Sequence, residues 1–330
     1  MMLDTLKALL AVYGPTGQES SVAECIKGLL AGHADSMRTD VMGNLIVEKK
    51  GRPGGKTLMF SAHMDHIGLI VTDIEDEGFL RVTKVGGVSV DSMRCRHVVF
   101  GSGVHGVAAC QPAKGETAGL QHLFVDIGAQ NRAEAETMVQ LGDACVFAPD
   151  LIPLGQHRFA SPAMDDRCAC ALLAQLLIET ENPQNTIVGV FSVQEEVGLR
   201  GAATAAYQVA PDWGVALDVT AWGDTPEVKL PAVKLGEGAA IKYLDNSMVA
   251  TPCVRDALAA AAEKAGVPWQ REVLPFGGTD GGAIQHSRGG VPTGAVSIPC
   301  RYVHSACETI DMRDMDSALA ILKTFVNEAL

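Results

Sequence analysis

A change of rhythm at two points along the chain limits its fold more than any other feature. Up to about residue 67, and again from residue 161, helical patterns alternate with apolar runs of strand length. Between residues 68 and 160 the alternation gives way to short β-like runs at 69–72, 79–82, 97–100, 104–109, 123–127 and 144–148. Glycines and charged turns separate them, and one helix is expected, at 132–140. Helices alternating with apolar strands build a mostly parallel sheet covered on both faces. Many short strands at close spacing build a small barrel or sandwich. The sequence therefore predicts an α/β domain made of residues 1–67 and 161–330, interrupted by an all-β insertion at 68–160. Helices of the α/β part are expected at 19–32, 166–180, 201–209, 253–265 and 314–329, and strands at 44–49, 57–62, 186–193, 214–219 and 294–297.

Charge and composition narrow the function. Twenty-six Lys and Arg against 39 Asp and Glu leave a net charge of −13. A surface that negative repels phosphate backbones and anionic lipid, so neither a nucleic acid nor a membrane is expected as a partner. No run reaches the ~18–20 apolar residues of a membrane span. The opening residues carry Asp4 and no basic cluster, and read as an amphipathic helix with Leu3, Leu6, Leu9 and Leu10 on one face. Nine scattered cysteines without a CxxC pair fit reduced thiols in a cytoplasmic protein.

Five places put acid–base or metal-binding side chains at the ends of expected strands, where open α/β sheets bind ligands. His63 and Asp65 lie two apart, on one face of an extended segment, or simply in a surface turn. Asp165 and Asp166 precede an apolar helix, where they would serve as caps or as a carboxylate bridging two cations, with Arg167 balancing the neighbour. Glu195 and Glu196 follow an apolar strand. Two adjacent charges at the mouth of a buried strand are costly to desolvate without a cation. One of them could ligate a metal while the other takes a proton from water. Asp218 inside a strand end and His304 after a strand each have a structural reading beside the ligand reading, and Arg301 reads as a salt-bridge partner. Together these residues form a nitrogen–oxygen donor set suited to zinc, cobalt or manganese. The glycine-rich run 277–282 lacks a lysine, and reads as a backbone loop near the cleft or a plain turn. The chain has no GxSxG elbow, no GxxxxGK[ST] and no GxGxxG opening a helix after the first strand.

In the segments Ala62-His63-Met64-Asp65, Asp165-Asp166-Arg167, Gln194 to Gly198, Asp218-Val219-Thr220, Gly278-Thr279-Asp280 and Arg301 to Ser305, taken in order, the chain resembles the M42 metallo-aminopeptidases. Val125 to Ala129 and Gly142-Asp143 resemble that family's insertion. The resemblance implies a three-layer catalytic domain of the dinuclear-metal exopeptidase type with a small-barrel dimerisation domain, and dimers that build tetrahedral dodecamers. It implies His63 and Asp218 as ligands of one ion, Glu196 and His304 of the other, and Asp165 as the bridge, often followed by a cis peptide. Glu195 would be the general base, and Asp65 would orient His63. The ions would be zinc or cobalt, with manganese and iron also compatible. Substrates would be short peptides with a free N-terminus. Two other readings are a metal-dependent deacylase acting on small N-acyl compounds and a catalytically silent shell. Two departures stand out: His66 occupies a position where the family usually has Glu, and the turn Gly14 to Glu19 matches only approximately.

Overall fold

The computed structural model describes residues 2–229 and 232–330. An eleven-stranded sheet runs through the α/β part. Its centre is four parallel strands in the order Thr186–Ser192, Thr57–His63, Trp213–Thr220, Thr293–Arg301. Antiparallel strands flank them: Leu45–Lys49 on one side, Glu308–Asp311 and Ala239–Leu244 on the other. The expected parallel sheet is thus parallel at its centre and mixed as a whole. Glu308–Asp311 follows Thr293–Arg301 after a short loop, and a parallel return would need a dozen or more residues.

The three layers follow from strand and helix periodicity. In Thr57–His63, Leu58, Phe60 and Ala62 enter the larger apolar core, and Met59 points to the smaller core on the opposite face. Helices Met2–Leu10, Met164–Glu179, Pro252–Ala265 and Met312–Phe325 cover the first face; Arg200–Val209 and Asp280–Gln285 cover the second. Met164–Glu179 is buried continuously from Met164 to Leu177, which explains why it is apolar on all sides. Among the described residues, no helix is long and apolar enough to cross a membrane.

Arg167 is the largest fully buried side chain. It does not balance its aspartate neighbours. Its guanidinium donates instead to the carbonyls of Met64 at 2.8 Å, Leu9 at 2.6 Å, Val12 at 3.0 Å and Gly14 at 3.3 Å. These carbonyls lie where the first helix ends and where the chain leaves strand Thr57–His63, so one side chain ties both to the sheet. Burial depresses its pKa to about 10. Arg167→Met removes every donor and leaves buried carbonyls unpaired. It is expected to destabilise the fold by about 3 kcal/mol or more, checked by denaturant unfolding.

The insertion closes on itself. Strands Gly68–Ile74, Leu80–Val85, Leu123–Asp126, His105–Cys110, Arg96–Phe100 and Ala144–Phe147 form a barrel in that order, around a separate apolar core that includes Leu69, Val98 and Val125. Closure removes the sheet edges that so many short strands would otherwise expose. The last barrel strand ends at Phe147. The sequence pattern assigns residues 148–160 to the insertion, whereas in the structure the hairpin of Ile152–Leu154 and Arg158–Ser161 joins the large sheet, Arg158–Ser161 pairing with Glu308–Asp311. That edge strand supplies the hairpin's missing backbone partners.

Candidate active site

The parallel strands share one direction, so their C-terminal ends open on one edge of the sheet. His63 is the last residue of its strand, Asp218 lies near the end of Trp213–Thr220, and Glu195 and Glu196 follow Thr186–Ser192. His304 lies in the loop after Thr293–Arg301, and Asp165 at the start of the buried helix. The fold brings all six together. Asp165 faces both imidazoles: its Oδ1 lies 3.1 Å from His63 Nε2 and its Oδ2 3.3 Å from His304 Nε2. Glu196 Oε2 is 3.3 Å from His304 Nε2, and Asp218 Oδ1 and Glu195 Oε2 are each 3.9 Å from His63 Nε2. Three overlapping compact donor groups result among the described residues: His63, Glu195 and Asp218; Asp165, Glu196 and His304; and Asp165, Asp166 and Asp218. The peptide bond between Asp165 and Asp166 is cis.

The electrostatics match a place built for cations. Burial, with Asp218 and other carboxylates adding to it, raises Glu195 and Asp166 well above the usual carboxylate range, and burial does the same for Asp218. Burial opposes the charge on His304, yet Asp165 and Glu196 overcome it and push its pKa up to about 12. Glu196 Oε1 and Asp166 Oδ1 are buried without a hydrogen-bond partner. Carboxylates so crowded, with orphaned oxygens and two imidazoles among them, are the donor chemistry of divalent ions.

The family described as M42 glutamyl aminopeptidase matches residues 43–321. The chain belongs to the M42 family. It is a peptide hydrolase of the aminopeptidase type. The M42 chain is 43% identical over 323 residues to a putative aminopeptidase of Acetivibrio thermocellus, covering 97% of each. Its structure is similar to that of aminopeptidase APDkam598 from the archaeon Desulfurococcus kamchatkensis, with a TM-score of 0.96, 36% identity and coverage of 99% of this chain and 95% of that one. It is also similar to the Pyrococcus horikoshii TET1 peptidase, with a TM-score of 0.89, 32% identity and coverage of 99% and 100%. That protein can assemble into a tetrahedron or a large octahedral shell.

The residues holding the cluster in this M42 chain refine the sequence reading. His63 Nδ1 donates to the backbone carbonyl of Asp65 at 2.9 Å, and the Asp65 carboxylate stands off at 3.5 Å. That carboxylate instead accepts from Thr16 Oγ1 at 2.7 Å and from the backbone N–H groups of Glu195 at 3.0 Å and Glu196 at 3.3 Å. Asp65 therefore orients His63 through its main chain and fixes the two glutamates through its side chain. Against burial, the His63, Thr16 and Glu195 contacts hold Asp65 below the usual carboxylate range. The Nδ1–H donation turns Nε2 of His63 toward the cluster.

Four further groups were missed or undervalued. Glu308 accepts from the N–H of Asp165 at 2.9 Å and of His304 at 2.7 Å. Glu19 accepts from the N–H of Gly17 at 2.7 Å and of Gln194 at 3.1 Å. Gln194 and His304 both adopt left-handed backbone, with φ of 56° and 63°, conformations that persist only where the surroundings enforce them. Thr16 and Glu19 belong to the opening turn that matched the family only approximately. Asp280, from the glycine-rich run, accepts from Ser61 Oγ at 2.7 Å and Ser192 Oγ at 2.5 Å beneath the strand ends. No local pattern marks Glu308, whose role depends entirely on the loop before it. His66 stays out of all three donor groups. Its Nδ1 meets the Ile67 carbonyl at 3.1 Å, and burial, with Arg167 nearby, lowers its pKa to about 3. Arg301 is a salt-bridge partner as read, gripping Asp224 at 2.9 and 2.5 Å.

The barrel also reaches the cluster. A Cβ on Gly87 would lie 2.3 Å from His304 Nδ1, and one on Gly86 would lie 3.2 Å from Glu196 Cβ. Only glycine lets the backbone leaving strand Leu80–Val85 pass so close to these two side chains.

Proposed function

We propose that this chain is a two-metal aminopeptidase that removes N-terminal residues from short peptides, with Glu195 as general base. The observation that carries the reading is Asp165, which turns one oxygen to each of two imidazoles in a buried cluster of carboxylates. His63 and Asp218 would hold one divalent ion, Glu196 and His304 the other, and Asp165 both. Zinc or cobalt is the expected metal, with manganese and iron equally compatible with these donors. When bound, such ions supply Lewis-acid polarisation and make water acidic near neutral pH. Glu195, half-buried beside His63 and fixed through its N–H by Asp65, takes the proton of the attacking water on Oε2. It then delivers that proton to the leaving amine.

Self-association is part of the reading: the likeness to TET1 spans almost the whole of both chains. The barrel would serve as the dimerisation domain, residues 1–67 and 161–330 as the catalytic domain, and dimers would close into a dodecamer. Light scattering of the purified protein measures this directly. A cytoplasmic location accords with the nine cysteines, none of which forms a disulfide.

The test is hydrolysis of aminoacyl-p-nitroanilides beside their N-acetyl counterparts, before and after metal loading. Free-amine substrates are expected to be cleaved only with metal bound. Acetylation should lower kcat/KM by roughly 10³-fold or more, because a site built around a polar group rejects analogues lacking it. Comparable activity on the acetylated set would replace the reading with a deacylase. No activity at full metal occupancy would replace it with a silent shell.

A further inference from the structure

A cavity of about 490 Å³ adjoins the cluster, large enough for one side chain of a substrate. Its wall beyond the cluster is apolar, formed by Leu199, Val219, Trp222, Leu274, Phe276 and Val303. Outside the cluster, Lys242 alone among the described lining residues is charged. An unengaged ammonium there would select an acidic side chain, and the family's description as glutamyl aminopeptidase makes that the first expectation.

Lys242 is engaged. It and Glu272 are register partners across the parallel strands Ala239–Leu244 and Trp269–Val273, and both side chains are fully buried. Lys242 Nζ donates to Glu272 Oε1, and Asp245 Oδ2 lies 3.5 Å from the same nitrogen. Thr220 Oγ1 donates to Glu272 Oε1 at 2.7 Å, which fixes the carboxylate against the cavity-lining strand. Asp245 is held in turn: its Oδ1 accepts from the N–H of Ser247 and of Met248, both at 2.8 Å. Neither Glu272 nor Asp245 lines the cavity. Lys242 therefore lies against the cavity wall with its side chain fully buried and its ammonium already paired with carboxylates, and no carboxylate outside the cluster lines the cavity to meet a basic side chain.

We infer that Glu272 masks Lys242, so that the cavity takes an uncharged, apolar first side chain in preference to an acidic or a basic one. The inference rests on the aminopeptidase reading and names its substrate class. An acidic side chain would have to be desolvated against a cation already satisfied by its own carboxylate. A basic one would be desolvated against leucine, phenylalanine and valine. Leucine, methionine and phenylalanine give up no hydrogen-bonded or charge-solvating water on entering, and removing their apolar surface from water against the wall is favourable.

The metal-loaded protein is assayed on Leu-, Met-, Phe-, Glu- and Lys-p-nitroanilides. The apolar substrates are expected to exceed Glu and Lys in kcat/KM by about tenfold or more. Calorimetric titration with free L-leucine and L-glutamate should show the same order of affinity. Glu272→Gln withdraws the nearer of the two carboxylates from Lys242, leaving Asp245 at 3.5 Å, and is expected to narrow the Leu-to-Glu ratio severalfold. Glu272→Asp, which keeps the charge at a shorter reach, should move the ratio less in the same direction and guards against a Gln variant that fails to fold. The double variant Lys242→Met with Glu272→Gln removes both charges and should keep the apolar preference. A wild type that prefers Glu or Lys overturns the inference while leaving the aminopeptidase intact. A folded Glu272→Gln with an unchanged ratio overturns the masking. Failure to cleave any of the five at full metal occupancy sinks the underlying reading instead.

Discussion

Replacing Glu195 by glutamine lowers turnover by about 10²–10⁴-fold, the usual contribution of a positioned general base, while metal content stays at the wild-type level. The substitution keeps the size of the side chain and its backbone N–H bond to Asp65. What it removes is a group able to accept and return a proton. The metal measurement is the decisive half, because Glu195 stands as near to His63 as Asp218 does, at 3.9 Å. Proximity alone does not separate a base from a ligand. Elemental analysis of the purified variant, run beside the nitroanilide assay, does. Metal lost together with activity would make Glu195 a ligand and leave the reaction without its assigned base.

Stripping the metals with a chelator abolishes turnover and destabilises the protein, and readdition of zinc or cobalt restores both. An ion present at about 1,000 times its Kd contributes about 4 kcal/mol through binding to the native state alone. The pH dependence of the stripped form follows from the cluster. Burial raises Glu195, Asp166 and Asp218 above their unfolded values, so the native state favours their protonated forms. The neighbouring carboxylates raise His304 as well, and a raised histidine contributes stability present below its unfolded pKa and lost above its folded one. Both signs agree. Metal-free protein should lose stability as pH rises from about 5 to 8, whereas the loaded form holds its stability. Asp165, lowered by both imidazoles against burial, works the other way only below the ordinary carboxylate range, and buried His66, lowered to about 3, offsets part of the trend between about pH 5 and 6.5. Thermal melts across that interval, with and without metal, test the prediction; a stripped form whose melting temperature is flat or rises with pH would contradict it.

Four members of the cluster, His63, Glu195, Glu196 and Asp218, were legible in the sequence because they sit at or just past strand ends, whereas Asp165 opens a helix and His304 lies in a loop. An apolar run that stops on His63, or on Glu195 and Glu196, declares both the strand and the edge at which it opens. The barrel was legible from the spacing of its short runs. Other elements left no such trace. Ala239–Leu244 and Trp269–Val273 carry Lys242 and Glu272 at buried positions, and each charge taken alone reads as a solvated face. Their pairing spans thirty positions of chain, which no periodicity reports. Thr16, Glu19 and Glu308 act on backbone N–H groups of distant loops, so their importance lies in the fold of those loops. The hairpin at 152–161 is short and half exposed, and its allegiance to the large sheet was decided by a free edge elsewhere.

Gly86 and Gly87 carry a consequence for how such a protein can change. They are the points where the barrel rests on His304 and Glu196, and the fit leaves no room for a methyl group. Barrel loops that face neither the cluster nor a partner subunit are free to drift, lengthen or be traded for those of a relative. The tilt of the barrel is not, since rolling it inward would drive main chain into the imidazole. A chimera carrying a foreign barrel would have to reproduce the placement of these two backbone positions, together with the Ala144 carbonyl that accepts from Tyr13.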